Sequence, residues 1–192
     1  MIPERGKAPA SVSAQAPDRF AIRFEDRLPP GWSAALSLAL SEAKVDIERL
    51  SAVKATGNRW IVELLVKTSP GSSDVKRLDL VALAWSSTRG VPPGRVVLED
   101  YHIDERENDG ALLLDVRAAD RTGFLATLLA CLAGLSLFPE QLEVETVDGE
   151  VRDSFVLKGI GGSYPSESIR QALETTLQDL LSLPAQRARH ER

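Results

Sequence analysis

A chain of 192 residues has room for one ordinary domain or two small ones, and 43% apolar with 27% charged residues specifies a packed core rather than a disordered coil. A net charge of −5, mixed along the chain, gives no general attraction to nucleic acid. The one cysteine, Cys131, makes no disulfide within the chain, and no basic region followed by an apolar run opens the sequence, so a reducing, cytoplasmic setting without a secretory leader is expected.

Residues 1–18 are rich in Ala, Pro and Ser without a period and read as a flexible lead. Phe20, Ile22 and Phe24 then alternate with Ala21 and Arg23, which predicts a strand over 19–24. The turn 25–31 leads into a helix over 32–43, with Leu36, Leu40 and Ala43 on one face and Gly31 or Ser33 as cap. Residues 45–56 read as a strand, Gly57-Asn58 as a tight turn, and 60–66 as the returning strand with Trp60, Val62, Leu64 and Val66 on one side. After the loop 69–73, Val75, Leu78, Val81, Ala82 and Trp85 predict a helix over 75–86.

A Gly/Pro-rich linker, 88–94, separates this half from a strand over 95–103. That strand would either close the first half or lie beside the strand 111–117, and the short charged segment 104–110 favours the second arrangement. Residues 120–137 form a turn and a helix that carry no charge between Arg121 and Glu140. The apolar helix is about 12 residues long before Gly134, against about 20 for a membrane span, so it is expected to be buried against a sheet. Strands follow over 140–147 and 150–158 about the hairpin turn Asp148-Gly149. Pro165 opens a helix striped by Ile169, Leu173, Leu177 and Leu180. Pro184 ends it, and a basic tail covers 184–192.

The two halves share one order of elements: strand, turn with Asp-Arg and Gly, helix, strand, hairpin, strand, helix. Residues 26–31 compare with 120–123, and Gly57-Asn58 compares with Asp148-Gly149. This is the split βαβ, or ferredoxin-like, motif. The expected class is α+β: two βαββαβ units, one over 19–87 and one over 95–183, each with helices on one face of an antiparallel sheet.

The second half resembles an ACT domain, and is most similar to the ACT repeats at the C-terminus of bacterial PII-protein uridylyltransferases. The matching residues are Asp120, Arg121, Gly123, Leu125, Thr146, Asp153 and Phe155. Thr122 and Pro139 stand where that pattern has proline and an aliphatic residue. The first half resembles the pattern weakly. Tandem ACT architecture also resembles the glycine-cleavage repressor group and small regulatory subunits of biosynthetic enzymes.

The resemblance implies a small amino acid bound at the strand-to-helix turn, with Asp120, Arg121, Thr122, Gly123, Phe124 and Leu125 as the ligand-binding set. A second site would use Asp26, Gly31 and Trp32. Physically, unpaired N–H groups of Gly123, Phe124 and Leu125 at a helix N-terminus would suit a carboxylate. Asp120 would receive the ammonium and Thr122 would add a hydroxyl contact. An equal reading is that Asp120 caps the helix and Gly123 serves packing alone. The function expected is non-catalytic regulation in amino-acid or nitrogen metabolism, as a homodimer or in complex with a regulated enzyme. The alternative is a ligand-free dimerisation module. No Cys/His cluster has metal-ligand spacing, no phosphate-binding loop or nucleophile elbow occurs, and His102 and His190 lie far apart, so no enzyme activity, cofactor or metal is expected. Asp148, Glu150, Arg152 and Asp153 read as surface charges of the hairpin. No nucleic-acid or membrane partner is expected.

Overall fold

A computed structural model describes residues 10–86, 96–106 and 110–181; the linker 88–94 and the tail 184–192 lie outside the described residues. The first half contains β1 (Ser11–Ala16), β2 (Arg19–Arg27), α1 (Trp32–Glu42), β3 (Val45–Ala55), β4 (Arg59–Thr68) and the short α2 (Leu80–Ala84). The second contains β5 (Asp100–Glu105), β6 (Leu112–Ala119), α3 (Phe124–Gly134), β7 (Phe138–Val147), β8 (Glu150–Lys158) and α4 (Glu167–Leu180). All eight strands form one antiparallel sheet in the order β1-β2-β4-β3-β7-β8-β6-β5. The fold is α+β and consists of two ferredoxin-like units joined edge to edge, the class expected from the sequence.

Period-2 patterning sets which face is covered. Ile22 and Phe24, Val62, Leu64 and Val66, Leu114 and Val116, and Phe155 and Leu157 are all buried on one side. One apolar cluster runs through both units and takes in Leu36 and Leu40 of α1, Leu128 and Leu132 of α3, and Leu173 and Leu177 of α4. The opposite side carries cross-strand ion pairs, among them Arg23–Glu63 at 3.3 Å and Arg49–Glu145 at 2.7 Å. These exposed pairs add little stability and chiefly keep that face wet.

An approximate twofold relates the units. It passes through the β3–β7 seam, where Ser51 pairs with Glu143, while Leu50 meets Val144 and Ala52 meets Leu142. Details repeat faithfully. A left-handed glycine precedes each inner helix, Gly31 at φ +78° and Gly123 at φ +80°. A left-handed residue follows each, Lys44 and Ser136. Each inner strand then carries an irregularity in its pairing with the hairpin strand, between Ile47 and Arg49 and between Pro139 and Gln141. The inner helices α1 and α3 pack on one another above the seam.

Several expectations change. Residues 11–16 form a strand rather than part of a flexible lead, and this β1 pairs with β2. It occupies the place that the strand after the last helix takes in a βαββαβ unit. In the second unit β5 does the same beside β6, as the short connection favoured. Both units are thus permuted, with the edge strand first. The predicted helix 75–86 is a 3₁₀ turn (Val75–Arg77) followed by α2, because the Asp79 carboxylate accepts from the Ala82 N–H at 3.1 Å and restarts the helix. The last helix starts at Glu167, with Ser166 rather than Pro165 setting its start by accepting from Ile169 N–H. Gly134 is the last helical residue, and the left-handed position falls on Ser136.

The shared core predicts joint unfolding. Leu50, 1% exposed on the seam, is expected to lose about 2–5 kcal/mol of stability as Leu50→Ala, measured by urea denaturation. Wild type and variant should each show one cooperative transition; two separated transitions would mean that the units hold independent cores.

Candidate functional site

The twofold places an inner-helix N-terminus on each side of the seam, and beside each lies a cavity. The larger, of about 470 Å³, is bordered by the whole predicted set Asp120, Arg121, Thr122, Gly123, Phe124 and Leu125. Its size falls in the range of about 300–1,000 Å³ usual for small-molecule sites. Strands β7 and β8 supply the floor through Val144, Thr146, Val151 and Asp153, and the first unit supplies the far wall through Ser37, Ser41, Val45, Asp46 and Ile47. The site therefore belongs to both units.

The turn is built by backbone geometry. Gly123 takes a left-handed conformation that side-chain-bearing residues adopt at a cost, and no side chain caps α3. Phe124 N–H is used by the Arg121 carbonyl at 3.0 Å and Thr127 N–H by the Gly123 carbonyl at 3.0 Å. Within the first helical turn, the donors left open are those of Leu125 and Ala126, not Phe124. The Thr127 hydroxyl donates back to the Gly123 carbonyl and stiffens the turn.

Asp153 is not a surface charge. It is 3% exposed, on the inward face of β8 with Val151, Phe155 and Leu157. Neither carboxylate oxygen has a hydrogen-bond partner. Burial raises its pKa from 3.8 to about 8; the Glu145 backbone, near but not hydrogen-bonded, offsets part of this, and the Asp120 charge adds to it. Asp120 is itself pushed up, first by burial, then by Asp46 across the cavity, against the Arg121 backbone N–H. Among the described residues, the other buried side-chain oxygen without a partner is Ser37 Oγ on α1. All three unsatisfied atoms thus belong to two side chains, and both line this one cavity.

The smaller cavity, about 330 Å³, takes Gly31 and Trp32 of the predicted second site but not Asp26. Asp26 lies on β2 opposite Trp60, with its carboxylate accepting from Arg27 N–H at 2.7 Å. Counting back from the left-handed glycines, Leu28-Pro29-Pro30-Gly31 corresponds to Asp120-Arg121-Thr122-Gly123. Leu28 replaces Asp120, and Val62 replaces Asp153. The walls are aromatic instead, with Trp32 edge-on to Trp60 at 5.1 Å. Lys54 at its border is neutralised by Glu140 at 2.9 Å. The one carboxylate in its lining, Glu140, is already paired with Lys54 and Lys158. Cys131 is half-buried and burial raises its thiol pKa, the opposite of activation. Among the described residues no group of His, Cys, Asp and Glu is arranged to hold a metal ion, and no helix is long and apolar enough to cross a membrane.

Ser37 and Asp46 left no trace in the sequence pattern, because they reach the site from the other unit. Asp153 did leave one: it interrupts an otherwise apolar inward face at period 2.

No family model matches the sequence, and no curated protein matches it. Among solved structures, the crystal structure of aspartate kinase from Synechocystis is similar over 85% of this chain and 27% of that chain, with 17% identity and a TM-score of 0.47. The chain spans about a quarter of that protein, and the likeness concerns the fold alone.

The buried carboxyl has a thermodynamic signature. Between the unfolded pKa near 4 and the folded value near 8, the folded chain holds the extra proton, so stability falls as pH rises through that window. Asp46, Asp120 and Arg121 are the charged groups that share the cavity with it. The melting temperature of Asp153→Asn relative to wild type is expected to climb from pH 5 to pH 8 and to level off above. A pH-independent difference would show that the carboxyl is not buried as described.

Proposed function

We propose that the chain is a non-catalytic regulatory protein that binds a small amino acid in the cavity beside α3 and passes its occupancy to a partner in amino-acid or nitrogen metabolism. The observation that supports this is the convergence of Ser37 Oγ and both Asp153 oxygens, buried and unsatisfied, on a cavity into which a helix N-terminus opens. Buried polar atoms without partners are costly and uncommon, and a polar ligand would satisfy them. The ligand's carboxylate would take the Leu125 and Ala126 N–H groups, helped by the positive end of α3 and by Arg121. Its ammonium would take Asp153 or Asp120. Because Ser37 and Asp153 sit on different units, a bound ligand would favour one spacing of α1 and α3, and a partner would read that spacing.

Thermal melts against the twenty amino acids test the reading. A ligand at 100 times its dissociation constant is expected to add about 2.7 kcal/mol and to raise the melting temperature by several degrees. Calorimetric titration should saturate at one ligand per chain, since the aromatic cavity lacks counterparts of Asp120 and Asp153. Gly123→Val should abolish the shift, and Ser37→Ala, which leaves the turn untouched, should weaken binding about 2–10-fold. A flat panel with an intact fold would overturn the ligand site and favour a ligand-free assembly module.

A further inference from the structure

The charge around the cavity is unbalanced. Asp46 on β3, Asp120 at the turn and Asp153 on the floor border it, and Arg121 is the one cationic side chain along its lining. None of the four is in an ion pair with a described residue. The three carboxylates come from three segments of two units, yet they act on one another in series, Asp46 on Asp120 and Asp120 on Asp153. Asp46 and Asp120 are exposed and form a rim, whereas Asp153 is closed off beneath them.

An amino acid with a neutral side chain answers only part of this field. Its carboxylate meets the α3 N-terminus and Arg121, and its ammonium neutralises one acid. With that ammonium on Asp153, the rim carboxylates Asp46 and Asp120 remain without a counter-cation, and an uncharged side chain would shield them from solvent, so that the like charges repel more strongly than in open water. A second cation on the ligand removes that repulsion. Resting on the amino-acid reading above, we infer that the ligand is a diamino acid, with one ammonium on Asp153 at the floor and the other between Asp46 and Asp120 at the rim. Asp153 receives the ammonium as a carboxylate, so its proton passes to the solvent when the ligand binds. Occupancy therefore rises with pH while Asp153 is protonated in the free protein; Asp46, Asp120 and Arg121 are the other charged groups facing it.

Calorimetric titration of the full chain with L-ornithine, L-lysine, L-norleucine and cadaverine, at pH 6 and pH 8, separates the possibilities. L-Ornithine or L-lysine is expected to bind at least about tenfold tighter than L-norleucine, equivalent to about 1.4 kcal/mol. Its affinity should be higher at pH 8, with a heat that varies with the buffer's own heat of ionisation, as proton release requires. Asp46→Asn should narrow the preference over L-norleucine, and a preference unchanged by Asp46→Asn would overturn the rim assignment. L-Norleucine binding as tightly as the diamino acids would overturn this inference and leave the amino-acid reading standing. The same holds if all four fail while a neutral amino acid shifts the melt. Cadaverine binding as tightly as L-lysine would overturn the amino-acid reading itself, because the carboxylate would then contribute nothing. Silence from all four and from the whole amino-acid panel would overturn both.

Discussion

The antiparallel pairing of β3 with β7 is the constraint on which the rest of this structure depends. Five residue pairs, from Arg49–Glu145 to Val53–Gln141, join two half-sheets into one. Without that pairing, each unit would end in an open strand edge, a known route to aggregation. The pairing also dictates where the helices go. Each inner strand follows its helix after a left-handed residue, so fixing the strands side by side brings α1 and α3 together above them. Side chains bridge the same line on the open face, with Ser51 Oγ donating to Glu143 at 2.8 Å and Arg49 to Glu145. The cavity that unites Ser37, Asp46 and Asp153 exists only because this line holds.

The two copies of the unit keep the frame and part company in chemistry. Both retain the glycine that starts the inner helix, the left-handed residue that ends it and the irregular pairing that bends the following strand. At the mouth of the first cavity, Leu28 and an edge-on tryptophan pair make an apolar surface. In the second cavity, Asp120 at the rim and Asp153 on the floor make an acidic one. Backbone geometry is therefore common property here, while polarity is local. A buried carboxyl without partners is expensive to keep. It sits in the copy whose cavity also draws an unsatisfied serine from its neighbour.

Much of the fold was legible because strand alternation and hairpin turns are local signals. Trp60, Val62, Leu64 and Val66 announce their strand, and Asp148-Gly149 announces its turn. The failures have physical causes. β1 is an edge strand with most of its residues exposed, so it has no apolar face to betray it. Helix 75–86 has an apolar stripe, but Asp79 competes for the backbone and splits it. At the site, the letters Asp-Arg point to Asp26, whereas the landmark that the two units share is the left-handed glycine at the helix start. The turn 120–125 was readable as a donor-rich loop. Asp153 reads as a surface charge under the usual rule that charges lie outside, although its position between Val151 and Phe155 places it inward. Ser37 and Asp46 were beyond reach, since only the twofold packing brings them across.

Having both copies in one polypeptide bears on how such a seam behaves on dilution. Two separate chains meeting through five residue pairs would associate and dissociate with their concentration. Here the second half is held near the first by its own backbone, so the pairing is intramolecular and independent of protein concentration. The seam is then formed at any level of expression. A shared cavity built across it is complete in every molecule, however much or little of the protein the cell happens to make.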